Sequence, residues 1–249
     1  MADLLRTSNP ALGKNAFGDR SIAYGEAMTV TGTVNKTGFL LICAIATAAW
    51  TWNLGQQSPE KAMTLAVGGA IGGFIVALVT IFKKSWAPVT APLYALLEGL
   101  VLGAVSVLME SRYPGIAIEA VMLTFGTLLA LLLAYHAGVI RVTDKFRTGV
   151  FAATGGIAMF YLITWVLGFF GVHFFASVYG SGLIGIGFSV FVVIVAALNL
   201  VLDFDLISRG AQAGAPKYME WYSGFALLVT LIWLYFEILR LLAKLRDRR

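Results

Sequence analysis

Charge is scarce in this 249-residue sequence. Only 12% of its residues are Asp, Glu, Lys or Arg, against about 25% in soluble domains. That scarcity excludes an ordinary water-soluble fold of this length, because little polar surface is available to cover it. Cysteine is nearly absent. The single Cys43 excludes an intrachain disulfide and a cysteine metal cage, and its apolar surroundings predict a packed thiol. Histidine occurs twice, as His136 and His173, and HExxH is missing, so a zinc protease of that type is excluded. His136 follows Tyr135 near a helix end, where an interfacial role is expected.

Serine and aspartate signatures fail too. Ser189 stands in GFSV, which lacks the second glycine of GxSxG. Ser181 stands in GSG, with Tyr179 where a rhomboid-like GxSG needs glycine, and Asp203 lacks a GxGD context. The chain is therefore read as no enzyme, with no tightly bound cofactor.

What is abundant is apolar. Hydrophobic residues make up 59% of the chain and the mean hydropathy is +0.84. Seven apolar segments follow one another at about 37–54, 63–82, 89–109, 116–137, 149–171, 182–206 and 221–243. About twenty such residues as a helix cross a bilayer core. The predicted fold is an all-α integral membrane protein, a seven-transmembrane-helix bundle. A polar N-terminal tail covers 1–36, the membrane domain 37–243 and a basic C-terminal tail 244–249. The tail lacks the early apolar core of a cleavable signal peptide.

The net charge is +5. Its basic residues cluster between the spans and at LRDRR, which fits membrane orientation and anionic headgroups, with no nucleic acid as partner. A cytoplasmic N-terminus puts eleven Lys and Arg on the inner side and seven on the outer. The rule on basic loops favours that orientation, although the basic C-terminus then lies outside. Glycines four apart, Gly68/Gly72, Gly69/Gly73 and Gly99/Gly103, predict close helix packing, with a water-lined path as the sharper alternative.

Acids inside apolar spans are the functional candidates, because they are costly there unless they meet a partner, a cavity or an ion path. Asp203 and Asp205 close the uncharged run 183–202. Asn199 lies one turn before Asp203 and shares its face. Glu98 lies in LLEGLVLGA (96–104), where a hydrogen bond to a neighbouring helix is the plain expectation. Glu237 follows sixteen uncharged residues, and Arg240 stands three later, within pairing reach on one helix face. Two carboxylates sharing a low-dielectric site cannot both ionise cheaply, so such a pair senses pH and, deprotonated, attracts a hard cation such as Ca²⁺.

LLEGLVLGA (96–104), LNLVLDFDLI (198–207) and LIWLYFEILRLL (231–242), taken in order, resemble the Bax inhibitor-1 family, also called the transmembrane Bax inhibitor motif family. The whole chain looks closest to its bacterial YccA/Bax inhibitor branch, over about 28–249. The resemblance implies a seven-helix fold with a central last helix, multi-pass in a bacterial inner membrane. It implies a pH-sensitive calcium leak in which Glu98, Asp203 and Glu237 occupy the family's acidic positions. Asp203 with Glu237 would form the sensing pair between helices 6 and 7 and transiently hold Ca²⁺. A non-conducting regulator that binds a membrane AAA protease or a stress-response partner through its tail is the alternative.

This chain departs from that pattern. The last-helix acid is Glu237 rather than aspartate, Asp205 adds a carboxylate, and 34 residues separate Asp203 from Glu237. A hairpin turning near residue 212 sets Asp203 level with Glu220, so pairing with Glu237 demands a non-spanning excursion over 210–223. Glu220 is thus the rival partner, and Asp205 becomes a helix-end or cation-entrance carboxylate.

Overall fold

The computed structural model describes residues 27–171 and 176–248. The tail over 1–26 and His173 lie outside the described residues. Among the described residues, seven helices are long and apolar enough to cross a membrane: α1 (Val30–Gln57), α2 (Pro59–Phe82), α3 (Ala87–Arg112), α4 (Ile116–His136), α5 (Asp144–Phe169), α7 (Leu183–Gln212) and α8 (Met219–Asp247). A 3₁₀ turn (Lys84–Trp86) precedes α3, and the four-residue α6 (Ala176–Tyr179) precedes α7.

Local chemistry sets several of the ends. The Thr29 hydroxyl accepts from Gly32 N at 2.9 Å and opens α1 as an N-cap. The cap begins that helix seven residues before the apolar run does. Thr143 caps α5 in the same way through Phe146 N, at 3.2 Å. Ser58 ends α1, and Pro59 starts α2 at the one helical position that loses nothing by lacking an N–H. Gly115 (φ 85°) takes the left-handed turn between α3 and α4, a conformation that disfavours residues with a Cβ.

α8 is the axis of the bundle. In its most apolar stretch 61% of residues are buried, against 11% in α5. α1, α3, α4 and α7 surround it. Ile116, Ala196, Leu200, Phe204, Leu234 and Ile238 form one core where α4 and α7 meet α8. Leu40, Ala44, Tyr94, Phe225 and Leu228 form another where α1 and α3 do. Outward-facing Ile42, Ile71, Phe74, Leu133, Phe151 and Phe169 are exposed. An apolar outer surface around a helical core is what a lipid solvent demands, and the chain is a multi-pass membrane protein.

The expected glycine packing is present. A Cβ on Gly99 or Gly103 of α3 would strike the α1 backbone at Ala44 or Ala48, so these positions set the α1–α3 approach. Gly69 meets the Leu97 carbonyl similarly, at 2.6 Å, whereas Gly68 faces open space.

The excursion expected over 210–223 does not form. α7 continues to Gln212 and α8 begins at Met219, leaving six residues for the turn. Met28 N donates to Ala215 O at 2.7 Å, and Ala27 bridges Pro216, which pins the start of α1 to this turn. α8 also runs through the expected C-terminal tail, as far as Asp247.

Candidate functional site

The charged side chains gather at two levels of the bundle. One lies toward the turn between α7 and α8. There Glu220 is fully buried, and its two oxygens accept from Thr29 N and Oγ1 (both 2.9 Å), from Lys217 Nζ (2.9 Å) and from Lys36 Nζ. Two ammonium groups and an N-cap around one carboxylate make it a structural staple between α1 and α8. It is not the partner of Asp203.

Asp205, also buried, receives Arg147 Nη2 at 2.9 Å and Arg209 Nε at 3.0 Å, one guanidinium on each oxygen. Asp205 is not at a helix end, because α7 runs seven residues further to Gln212, and its carboxylate is an ion-pair link between α5 and α7.

Asp203 differs. Its Oδ2 is shielded from solvent, and no protein donor among the described residues reaches it. The side chain facing it is Thr230 of α8. That hydroxyl also lies 3.2 Å from Ala226 O, and its one proton serves one acceptor at a time. Asn199, one turn earlier, donates to Thr154 Oγ1 on α5 and to Val195 O, both at 2.8 Å.

The second level lies toward the C-terminal end of α8. Glu237 is 2% exposed. Tyr161 of α5 donates to its two oxygens at 3.2 and 3.4 Å, and Arg240 Nη1 at 3.1 and 3.2 Å. Arg240 also donates to the Tyr161 hydroxyl at 2.6 Å and lies over its ring. Carboxylate, phenol and guanidinium form a closed triangle joining α5 to α8. The expected Glu237–Arg240 pair is therefore present.

The expected Asp203–Glu237 pair is not. Asp203 lies level with Thr230, and seven residues of α8 separate that position from Glu237, about 10 Å along the axis. No hydrogen bond or ion pair joins the two acids among the described residues. The cause is the short turn, because without an excursion the hairpin register cannot bring 203 level with 237.

Glu98 sits half-buried between Tyr94 and Gly73, and it takes no hydrogen bond or ion pair among the described residues. Among those residues, no three His, Cys, Asp or Glu side chains converge as a metal centre. Two residues escaped the sequence reading. Lys244, counted with the tail, is 6% exposed and donates to Val178 O, Gly185 O and Ser189 Oγ at 2.8, 3.0 and 2.9 Å. Its signal was the spacing 237, 240, 244, one face of a helix. Nothing in the sequence marks Tyr161.

A cleft of about 770 Å³ opens between α3 and α5 over this face of α8, with Glu237, Arg240 and Lys244 in its lining. At its outer rim Tyr113, in the α3–α4 turn, donates to Asp247, and that bond raises the phenol above its ordinary range.

Sequence comparison adds one deciding observation. The family model described as Bax inhibitor 1 like matches residues 9–247. The chain belongs to the Bax inhibitor 1-like family. Among curated proteins, none matches it. In this Bax inhibitor 1-like protein Glu98, Asp203 and Glu237 occupy three separate environments among the described residues. One is bonded on both oxygens (Glu237), one half-bonded (Asp203) and one unbonded (Glu98).

Proposed function

We propose that this Bax inhibitor 1-like protein is a pH-sensitive cation leak of a bacterial inner membrane, with Ca²⁺ as the permeant ion and the N-terminus cytoplasmic. The observation that carries the reading is the Asp203 carboxylate, enclosed within an apolar bundle with one oxygen that no group among the described residues satisfies. A buried acceptor without a donor costs about 1–3 kcal/mol. A proton, a water or a cation relieves that cost, and which of them does so depends on pH and on cation supply.

Glu237 supplies the second element. Ionised, it holds Tyr161 and Arg240 and thereby ties α5 to α8. Protonation removes the charge that draws Arg240 and weakens the tie. α5 is the least buried span, so it is the helix freest to move. Two arrangements of one helix, biased by a proton, make a gate. The two acids act in series at different depths rather than as one dyad.

Flux into liposomes loaded with a Ca²⁺ indicator, across pH steps from 5 to 8, tests this. Asp203→Asn is expected to reduce flux at least tenfold. Glu237→Gln is expected to leave flux present but flatten its pH dependence. Flux indifferent to pH and to both substitutions would overturn the reading.

A regulator that binds a membrane protease through the polar N-terminal tail, 1–36, is a second reading. It is favoured by the Glu220 staple, which couples the start of α1 to α8. Deleting 1–26 separates the two, since it would abolish partner capture while leaving flux intact.

A further inference from the structure

We propose that the cleft between α3 and α5 holds one anionic phospholipid, its headgroup in the cationic half lined by Arg112 and Arg240 and an acyl chain along the wall below. The inference stands whether or not the protein conducts ions.

The cleft is polarised along the bilayer normal. Toward the bilayer middle its walls are Val105, Leu108 and Met109 of α3 and Trp233 and Phe236 of α8. Toward the C-terminal end of α8 they become Arg112, Arg240, Lys244 and Asp247, with hydroxyls from Tyr161 and Tyr179. The fourteen helical steps from Trp233 to Asp247 rise about 21 Å. One leaflet with its headgroups is about as deep. A lipid set in the cleft therefore keeps the orientation it has in the surrounding leaflet, and its chain meets apolar walls throughout.

Charge selects an anionic headgroup. Three cations, Arg112, Arg240 and Lys244, face two carboxylates, Glu237 and Asp247. Lys244 spends its donors on three neutral acceptors, two of them backbone carbonyls, and hydrogen-bonds neither carboxylate. The cleft thus carries a surplus positive charge. Donors remain to meet a phosphate. Arg240 makes its hydrogen bonds through Nη1 alone among the described residues, leaving Nη2 and Nε. Arg112 is 71% exposed, and its contact with Asp247 is 3.6 Å, too long for a hydrogen bond. A guanidinium group matches a phosphate better than an ammonium group would, because it presents paired donors.

The test is lipid retention by the full-length protein, read by native mass spectrometry. The protein is released from nanodiscs of phosphatidylcholine doped with phosphatidylglycerol. Wild type is expected to keep one phosphatidylglycerol in preference to phosphatidylcholine. Arg112→Gln, a change at an exposed side chain, is expected to lower that occupancy about tenfold with thermal unfolding little changed, and Arg112→Lys to restore part of it. Leu108→Trp fills the apolar wall and is expected to lower occupancy while both arginines remain. Arg141→Gln, on an exposed loop at the other end of the bundle, is expected to change nothing. Equal retention of both lipids by wild type, or unchanged occupancy in Arg112→Gln and Leu108→Trp, overturns the proposal. So does equal loss in Arg141→Gln. Displacement of the lipid by millimolar inorganic phosphate shows a free-anion site and overturns it as well.

Discussion

Each acid in this bundle is explained by what lies within hydrogen-bond reach of it. Glu220 and Asp205 are held by two cations each. They behave as structural carboxylates although the sequence marks them no differently from Asp203. Glu237 shares its charge with Arg240 and Tyr161. Among the described residues, Asp203 alone of these four keeps a shielded oxygen without a protein donor. Their separation makes a measurable claim. Groups more than about 7–10 Å apart with no common partner contribute additively to stability, whereas bonded groups deviate by about 0.5–3 kcal/mol. A double-mutant cycle of Asp203→Asn and Glu237→Gln, followed by unfolding in mixed micelles, should therefore close to within about 0.5 kcal/mol. A coupling above about 1 kcal/mol would mean that the two carboxyls meet directly.

At the scale of elements, the small residues of α3 decide how close α1 comes. Gly103 presses on the Ala48 carbonyl, and a side chain there must displace backbone. Gly103→Val is expected to destabilise by about 1–3 kcal/mol, as overpacking does. Gly68→Ala on the open face of α2 should shift stability by less than about 1 kcal/mol, and upward, because alanine favours helix over glycine. Thermal unfolding in one detergent ranks the two, and equal shifts would contradict the packing. The sequence showed both glycine pairs at the same spacing and could not tell the lipid face from the packed face. A repeat of four residues places side chains on one face of a helix but does not say what that face meets.

For the whole molecule, seven crossings put the start of α1 and the end of α8 at opposite ends. Thr29 bonds Glu220 at the first turn of α8, and Asp247 at its last turn bonds Tyr113 in the α3–α4 turn. Reporters fused before residue 1 and after residue 249 are expected on opposite sides of the membrane. Finding both on one side would contradict the seven-span arrangement. The basic C-terminus, which argued against this topology on charge alone, has a structural use that the charge rule does not weigh. Lys244 is buried against the start of α7, and Arg246 pairs with Glu119 at 2.8 Å and donates to Pro114 O at 2.6 Å.

Span number, helical class and the identity of the acids were legible because each rests on a run of one chain. An apolar stretch of sufficient length must satisfy its own backbone in lipid, and only a helix does so within a single segment. The Glu237–Arg240 pair was legible for the same reason, being one turn of one helix. Pairing between helices was not, because it depends on hairpin register. Register is set by how many residues the turn consumes, and each residue moved between turn and helix slides a side chain by about 1.5 Å. Here α7 and α8 both run past their apolar limits into polar sequence, supported by Thr29, Glu220 and the bridge to Pro216. That extension places Asp203 beside Thr230 and leaves Glu237 to Tyr161. The sequence by itself determined which acids lie within the apolar spans. Only the packing of α1, α5 and α7 around α8 decided which are neutralised and which keeps an oxygen open, since hydrogen bonds act over about 3 Å while the partners stand up to 191 positions apart in the chain.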